Sequence, residues 1–197
     1  IFVTGNTAID ALRLTVKEEY SSPITEAAAG KRIILLTAHR RESHGEALRG
    51  IFRAVRRIAD EFDDVMIVYP VHPNPVVRAA AEEILSGRER IMLTEPLDVI
   101  AFHNLMAKSF FIMTDSGGIQ EEAPSLGKPV LVLRDVTERP EGVEAGTLRI
   151  AGTDEEKVYL DCKNLLCNET EYAKMSSAEN PYGDGKASRR IADALLS

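Results

Sequence analysis

No stretch of this sequence stays apolar for the roughly 18 to 20 consecutive residues that a helix needs to cross a bilayer, so no membrane-spanning helix is expected. Cysteine is scarce. The two present, Cys162 and Cys167, fall on one predicted helix at a spacing that suits neither a metal pair nor a disulfide framework, and they read as idle thiols in a reducing cytoplasm. An excess of positive charge is also missing. The formal net charge of -7 disfavours non-specific binding to nucleic acid or to an anionic membrane, yet leaves room for a local basic pocket that holds a phosphate. There is no internal repeat and no low-complexity segment. The opening residues, Ile1-Phe2-Val3-Thr4-Gly5-Asn6, lack an initial Met, a basic n-region and a cleavage pattern. They read as the interior of a longer chain rather than as a signal peptide. What is present is an ordinary globular composition, 44% hydrophobic and 28% charged over 197 residues, sufficient for one good core and one domain.

From Lys31 onward, apolar runs alternate with helical patterns, which predicts an α/β fold: a doubly wound parallel sheet covered on both faces. Strands are expected over 33–37, 65–69, 91–93, 110–113 and 130–133. Helices are expected over 46–62, 76–85, 98–108, 119–126, from Thr153 or Asp154 to about Cys167, and from Lys186 onward. Ahead of them, Asn6 or Thr7 caps a helix over 8–19, followed by a loop to Gly30. The whole of 1–197 is read as one ligand-binding α/β domain, with 1–30 as linker and leading helix and 181–197 as a loop and terminal helix.

Ligands of such sheets bind outside the carboxyl ends of the strands, and those loops hold the unusual residues. The segment from Phe110 to Leu133, FFIMTDSGGIQEEAPSLGKPVLVL, reads as strand, tight turn, short helix, strand. Its Gly117-Gly118 pair lets the backbone turn sharply and lets a ligand approach the main chain without meeting a Cβ. Free N–H groups at the helix start, helped by the Ser116 hydroxyl, suit phosphate. Glu121 and Glu122 lie one turn further on, and at least one must point away from an anion; a carboxylate there suits the two hydroxyls of a ribose. The loop after the first strand, Ala38-His39-Arg40-Arg41-Glu42-Ser43-His44-Gly45, is dense in charge and imidazole, and its arginines suit phosphate or carboxylate. After the second strand, three prolines stiffen the path around His72. Beyond the third, Phe102 either stacks on a base or packs in the core. In the last loop, 134–146, Arg139 can pair with Glu138, with Glu141, or with a diphosphate.

The strings TGNTAIDAL, TAHRRESHG, HPNP, TDSGGIQEEAPSLGKPVLVLR, TERPEG, EAGT and NPYGDGKAS resemble, in this order, the C-terminal half of the non-hydrolysing UDP-N-acetylglucosamine 2-epimerases. The resemblance runs from Thr4 to the end, with mild departures at Ala8, Leu97 and Val136. It implies the C-terminal, nucleotide-binding half of a two-domain fold of the GT-B type, with the N-terminal catalytic domain absent from this chain. The activity implied is interconversion of UDP-N-acetylglucosamine and UDP-N-acetylmannosamine in the cytoplasm for cell-surface polysaccharide synthesis, through elimination and re-addition of UDP across 2-acetamidoglucal, with no NAD, other cofactor or metal. By resemblance, Phe102 stacks on uracil, Glu122 holds the ribose, and Ser116, Gly117 and Gly118 donate to the diphosphate. Leu97 falls at a nucleotide contact, which its side chain reduces to a main-chain contact or none. Arg139 and His39 lie at the diphosphate and reaction centre, with His39 the catalytic candidate. Arg40 and His72 fall where bacterial members bind a second UDP-N-acetylglucosamine as an allosteric activator. The resemblance further implies a homodimer in the full-length protein.

In the family the carboxylates credited with acid–base work belong to the N-terminal domain. This chain is therefore expected to hold UDP and to be catalytically incomplete by itself. Two alternatives stay open at the level of sequence: a UDP-sugar glycosyltransferase of the same architecture, and a non-catalytic nucleotide-binding module.

Overall fold

The computed structural model describes residues 1–196; the last position of the expected terminal segment, 197, lies outside the described residues. In chain order the elements are α1 (Thr7–Thr15), α2 (Pro23–Ala27), β1 (Arg32–Thr37), a 3-10 turn (Arg41–Ser43), α3 (Glu46–Glu61), β2 (Val65–Pro70), α4 (Pro75–Leu85), β3 (Ile91–Thr94), α5 (Val99–Lys108) and β4 (Phe111–Thr114). Next come α6 (Gly117–Glu122), a second 3-10 turn (Ala123–Leu126), β5 (Val130–Val132), α7 (Pro140–Ala145), β6 (Leu148–Ile150), α8 (Glu155–Cys167), α9 (Glu169–Ser176) and α10 (Ala187–Leu196).

The strands form one sheet in the order β3-β2-β1-β4-β5-β6, with every pairing parallel. This is the doubly wound α/β architecture that the alternating pattern predicts. Chain direction across the sheet reverses between β1 and β4, whose carboxyl ends meet at Thr37 and Thr114; their hydroxyls hydrogen-bond at 2.6 Å. A crevice opens where the two connections leave in opposite directions.

Alternate residues of each strand enter opposite cores, as the two-residue period of a strand requires. Ile34 and Leu36 of β1 join a cluster built on α3, α4 and α8, with Ile51, Phe52, Val55, Val77 and Val158. Ile33 and Leu35 join a second cluster with Leu12 of α1, Leu105 and Met106 of α5, and Ile119 of α6. Each fully buried side chain of this kind stabilises by roughly 1.5–3 kcal/mol relative to exposure, so both layers are needed to hold the sheet.

Several boundaries differ from expectation for identifiable reasons. α1 stops at Thr15 rather than 19, because Asn104 of α5 takes the Thr15 carbonyl at 2.7 Å and accepts from Lys17 N at 2.8 Å, pulling the chain out of the helix. The expected loop before β1 contains α2, nucleated by Pro23 and a reciprocal Ser22–Thr25 capping box. The expected loop over 134–146 contains α7, which starts at Pro140 and ends at Gly146 with φ 83. β6 and α9 were given no element by the sequence pattern. The helix expected over 119–126 starts two residues earlier, then tightens to 3-10 geometry at Ala123, next to Pro124, whose nitrogen carries no hydrogen to donate. The chain's two end segments pack together: Asp10 of α1 accepts from the first N–H groups of α10, Ala187 N at 3.1 Å and Ser188 N at 2.9 Å.

Candidate functional site

The carboxyl ends of β1, β2, β3 and β4 surround a cleft of about 190 Å³ lined by His39, His72, Leu97, Phe102, Ser116 and Ile119, among others. Larger hollows exist, 530 Å³ beside α4 and β3 and 680 Å³ against the 179–184 loop. The smaller cleft is nevertheless the chemically convergent one. It sits at the topological switch point, where ligands of open parallel sheets bind, and it gathers loop residues from four strand ends.

β1 delivers His39 and Arg40, and Asp115 fixes them. This carboxylate follows β4, is 1% exposed, and accepts from His39 N at 2.5 Å and Arg40 N at 2.7 Å through Oδ2. Its Oδ1 lies 3.3 Å from His39 Nδ1 without the alignment of a hydrogen bond. The Arg40 guanidinium turns back to donate from Nε to the Asp115 carbonyl at 3.3 Å. The His39 ring stacks on His72 with centroids 4.8 Å apart and planes 4° from parallel. Burial holds the His39 imidazole below its ordinary pKa, Asp115 opposes that, and electrostatic repulsion from the His72 and Arg40 side adds to it. The proline-rich loop does present His72, whose Nδ1 accepts from Asn74 N at 3.1 Å; the ring proton therefore sits on Nε2.

At β4 the chain turns directly into α6. Gly117 and Gly118 are the first two residues of that helix, and neither has a positive φ. The expectation that glycine is needed there for a sharp turn is thus not met; what the pair supplies is space. A Cβ on Gly118 would meet nothing within 4 Å, and one on Gly117 would lie 3.7 Å from Arg139 Nη2. Ser116 makes no side-chain capping bond among the described residues, which leaves its hydroxyl, and the first N–H groups of α6, available to an anion.

The two adjacent glutamates diverge. Glu122 points toward α5, with Oε2 3.8 Å from His103 Nε2, and burial, followed by the neighbouring Glu121, pushes its carboxyl above the ordinary range. Glu121 points the other way and binds Arg139 Nε and Asn6 Nδ2. Arg139 therefore takes a partner that the sequence did not single out, and meets Glu138 only through its carbonyl, accepting from Nη1 at 2.9 Å. Phe102 and Leu97 pack partly against the second core cluster while facing the cleft, so the core reading of Phe102 holds for one side of its ring and the other side is open to the cleft.

Asp115, Arg134 and Asn6 belong to the site; the sequence assigns the first two no role and Asn6 only that of capping α1, which it does by accepting from Ala8 N. Arg134 is 6% exposed; its Nε donates to Glu42 at 2.7 Å and its Nη2 to Glu138 at 3.4 Å. The signal that could have found it is position: it is the second residue after β5. No group of three or more His, Cys, Asp or Glu among the described residues is disposed to hold a metal ion. No helix among them is long and apolar enough to cross a membrane. Cys162 is buried against Met113 Sδ, and burial pushes its thiol up; Cys167 is exposed.

A parallel sheet of this order, with a glycine-led helix and a cleft at its switch point, defines a Rossmann-like ligand-binding unit. Comparison with known proteins is more specific. Residues 1–196 match the family model described as UDP-N-acetylglucosamine 2-epimerase. The Bacillus subtilis UDP-N-acetylglucosamine 2-epimerase is 64% identical over 196 residues, which are 100% of this chain and 52% of that protein. The S. aureus MnaA–UDP co-structure superposes with a TM-score of 0.95 at 58% identity, covering 98% of this chain and 53% of the other. The Neisseria meningitidis UDP-GlcNAc 2-epimerase bound to UDP-GlcNAc gives 0.90 at 43% identity, over 98% and 54%. The chain belongs to the UDP-N-acetylglucosamine 2-epimerase family. It spans about half the length of the curated relatives it matches.

Proposed function

We propose that this chain is the UDP-holding half of a UDP-N-acetylglucosamine 2-epimerase, an isomerase that inverts C2 of the sugar by eliminating UDP and adding it back. The observation that carries this is a cleft at the switch point walled by Phe102 and Ser116, at the start of a helix that has Arg139 beside its first glycine and the part-buried Glu122 further along. In this assignment Phe102 lies on the base, with Leu97 alongside as an apolar wall. Glu122 accepts from the ribose hydroxyls. Ser116, Gly117, Gly118 and Arg139 take the diphosphate.

Elimination leaves negative charge on the departing UDP, and fixed N–H dipoles with a guanidinium stabilise that charge without reorganising. His39, held against Asp115 at the mouth of the same cleft, is placed to meet the reacting end of the nucleotide sugar, where its lowered basicity keeps it neutral near pH 7. Arg40 and His72, both beside His39, would take part in holding a second UDP-N-acetylglucosamine. Removal of the C2 proton falls to carboxylates of the other half of the enzyme, so this chain alone binds and does not turn over.

Calorimetric titration with UDP, and with ADP as control, tests the assignment. Saturable binding of UDP, weakened about tenfold or more by Phe102→Ala, the scale of one lost base–aromatic stack, and weakened also by Glu122→Ala, is the expected result. Equal affinity for UDP and ADP, or indifference to both substitutions, would remove base and ribose from these positions.

A further inference from the structure

Arg139 is held in an unusual way for a residue that must meet an anion. Its Nε is bound by the Glu121 carboxylate and its Nη1 by the Glu138 carbonyl at 2.9 Å. Nη2 has no protein partner among the described residues and lies over the start of α6, 3.7 Å from where a Cβ on Gly117 would be. The side chain is thus fixed at two points with one edge turned to the glycine-led turn.

Glu121 is itself fixed. Its side chain is 14% exposed, its other oxygen accepts from Asn6 Nδ2, and its carbonyl accepts from Asn180 Nδ2 at 3.4 Å. Asn6 N donates to Tyr182 O at 2.9 Å, and Tyr182 Oη donates to the Arg139 carbonyl at 3.3 Å. Residues from four separate segments therefore close a ring that contains the ion pair.

An Arg so placed loses little rotamer freedom when an anion arrives, because its fork is already oriented. The opposing effect is charge: Glu121 partly neutralises the cation that a diphosphate needs. At a guanidinium with a free Nη edge, orientation outweighs neutralisation, since the carboxylate does not occupy the edge that the ligand uses. We propose that Glu121 is a positioning residue for nucleotide diphosphate binding, anchored by Asn6 and acting only through Arg139. The proposal rests on the UDP assignment above and deepens it.

The test compares UDP with uridine, which keeps base and ribose and lacks the phosphates. Titrations of both, followed by protein NMR, are made on the unsubstituted chain, on Glu121→Gln, and on Asn6→Asp, with thermal melting of each. Glu121→Gln keeps the shape and loses the charge. Asn6→Asp keeps an oxygen to cap α1 and sets a carboxylate against Glu121. Both variants are expected to bind UDP about tenfold more weakly, the effect of one charged hydrogen bond, and uridine within about twofold of the unsubstituted chain. A purely structural role would weaken both ligands alike and would overturn the proposal. So would unchanged or tighter UDP binding, which would make Glu121 a competitor of the ligand. If Glu121→Gln does not fold, the UDP-to-uridine ratio in Asn6→Asp decides the matter. Uridine bound by the unsubstituted chain with no gain from the phosphates refutes this proposal and leaves the base and ribose positions standing. Absence of any nucleotide binding refutes both.

Discussion

Replacing Asp115 with Ala should destabilise the chain by about 3 kcal/mol and loosen the loop that carries His39. The carboxylate is 1% exposed and receives two backbone N–H groups, at 2.5 and 2.7 Å. Alanine leaves both donors without their acceptor, at about 1–3 kcal/mol each. His39 and Arg40 are only half-buried, so water reaches part of the gap and the lower half of that range applies. For a chain of this size, about 3 kcal/mol corresponds to a fall in Tm of about 6–12 °C. Asn at the same position keeps one oxygen for the two N–H groups and should lose only about 1 kcal/mol, the scale of one ordinary hydrogen bond. Scanning calorimetry with urea denaturation measures both variants. A fall below about 2 °C for Ala, or equal damage from Ala and Asn, would show that Asp115 is not what ties the β1 loop to β4.

Two further outcomes follow from the geometry. Gly142→Ala should destabilise by about 1–3 kcal/mol despite the better helix propensity of Ala, because the added Cβ would lie 2.5 Å from Leu148 Cδ1 and 2.6 Å from Tyr182 Oη; urea denaturation at constant m reads it. Stability should also depend on pH with opposite signs at two sets of groups. Burial lowers the pKa of both His39 and His103 from 6.5, so below 6.5 the unfolded chain binds more protons and stability falls as the pH falls toward the folded values; His39→Asn should flatten that slope. The Glu122 carboxyl, raised from 4.5, binds its proton more tightly in the folded chain, so its contribution declines as the pH rises above 4.5; Glu122→Gln should raise Tm at pH 7 and leave it unchanged at pH 4.

Five of the six strands and the position of the cleft were legible in the sequence, because parallel strands buried on both faces must be continuous apolar runs and ligand loops must follow them. β6 was not, since it is three residues long, contains Arg149, and is a strand only by virtue of its pairing with β5. α7 was hidden although Pro140 and Gly146 mark its ends, because charged and turn-forming residues fill the span between strand and glycine. The sequence required that one of Glu121 and Glu122 turn from an anion; only the structure says that Glu121 is the one beside Arg139 and that Glu122 faces α5. Asp115 looked like an ordinary polar residue after a strand, for its partners are main-chain groups 75 and 76 positions away, which no local pattern encodes.

The ring that closes around Arg139 joins parts of the chain that are made far apart in time. Asn6 reaches Glu121 over 115 positions, Arg13 reaches the Asp184 carbonyl over 171, and Asp10 caps α10 over 177. Closing loops of that length is slow, because their entropy must be spent before any contact repays it. At a ribosome adding about 5–20 residues per second, all six strands have been synthesised by Ile150, whereas Tyr182 and α10 follow seconds later. The sheet and both partners of the ion pair come first, and the Asn180 and Tyr182 contacts that complete the ring come last. A nascent or C-terminally trimmed chain can therefore carry every strand and the Glu121–Arg139 pair while the carbonyls of both residues still lack their Asn180 and Tyr182 donors.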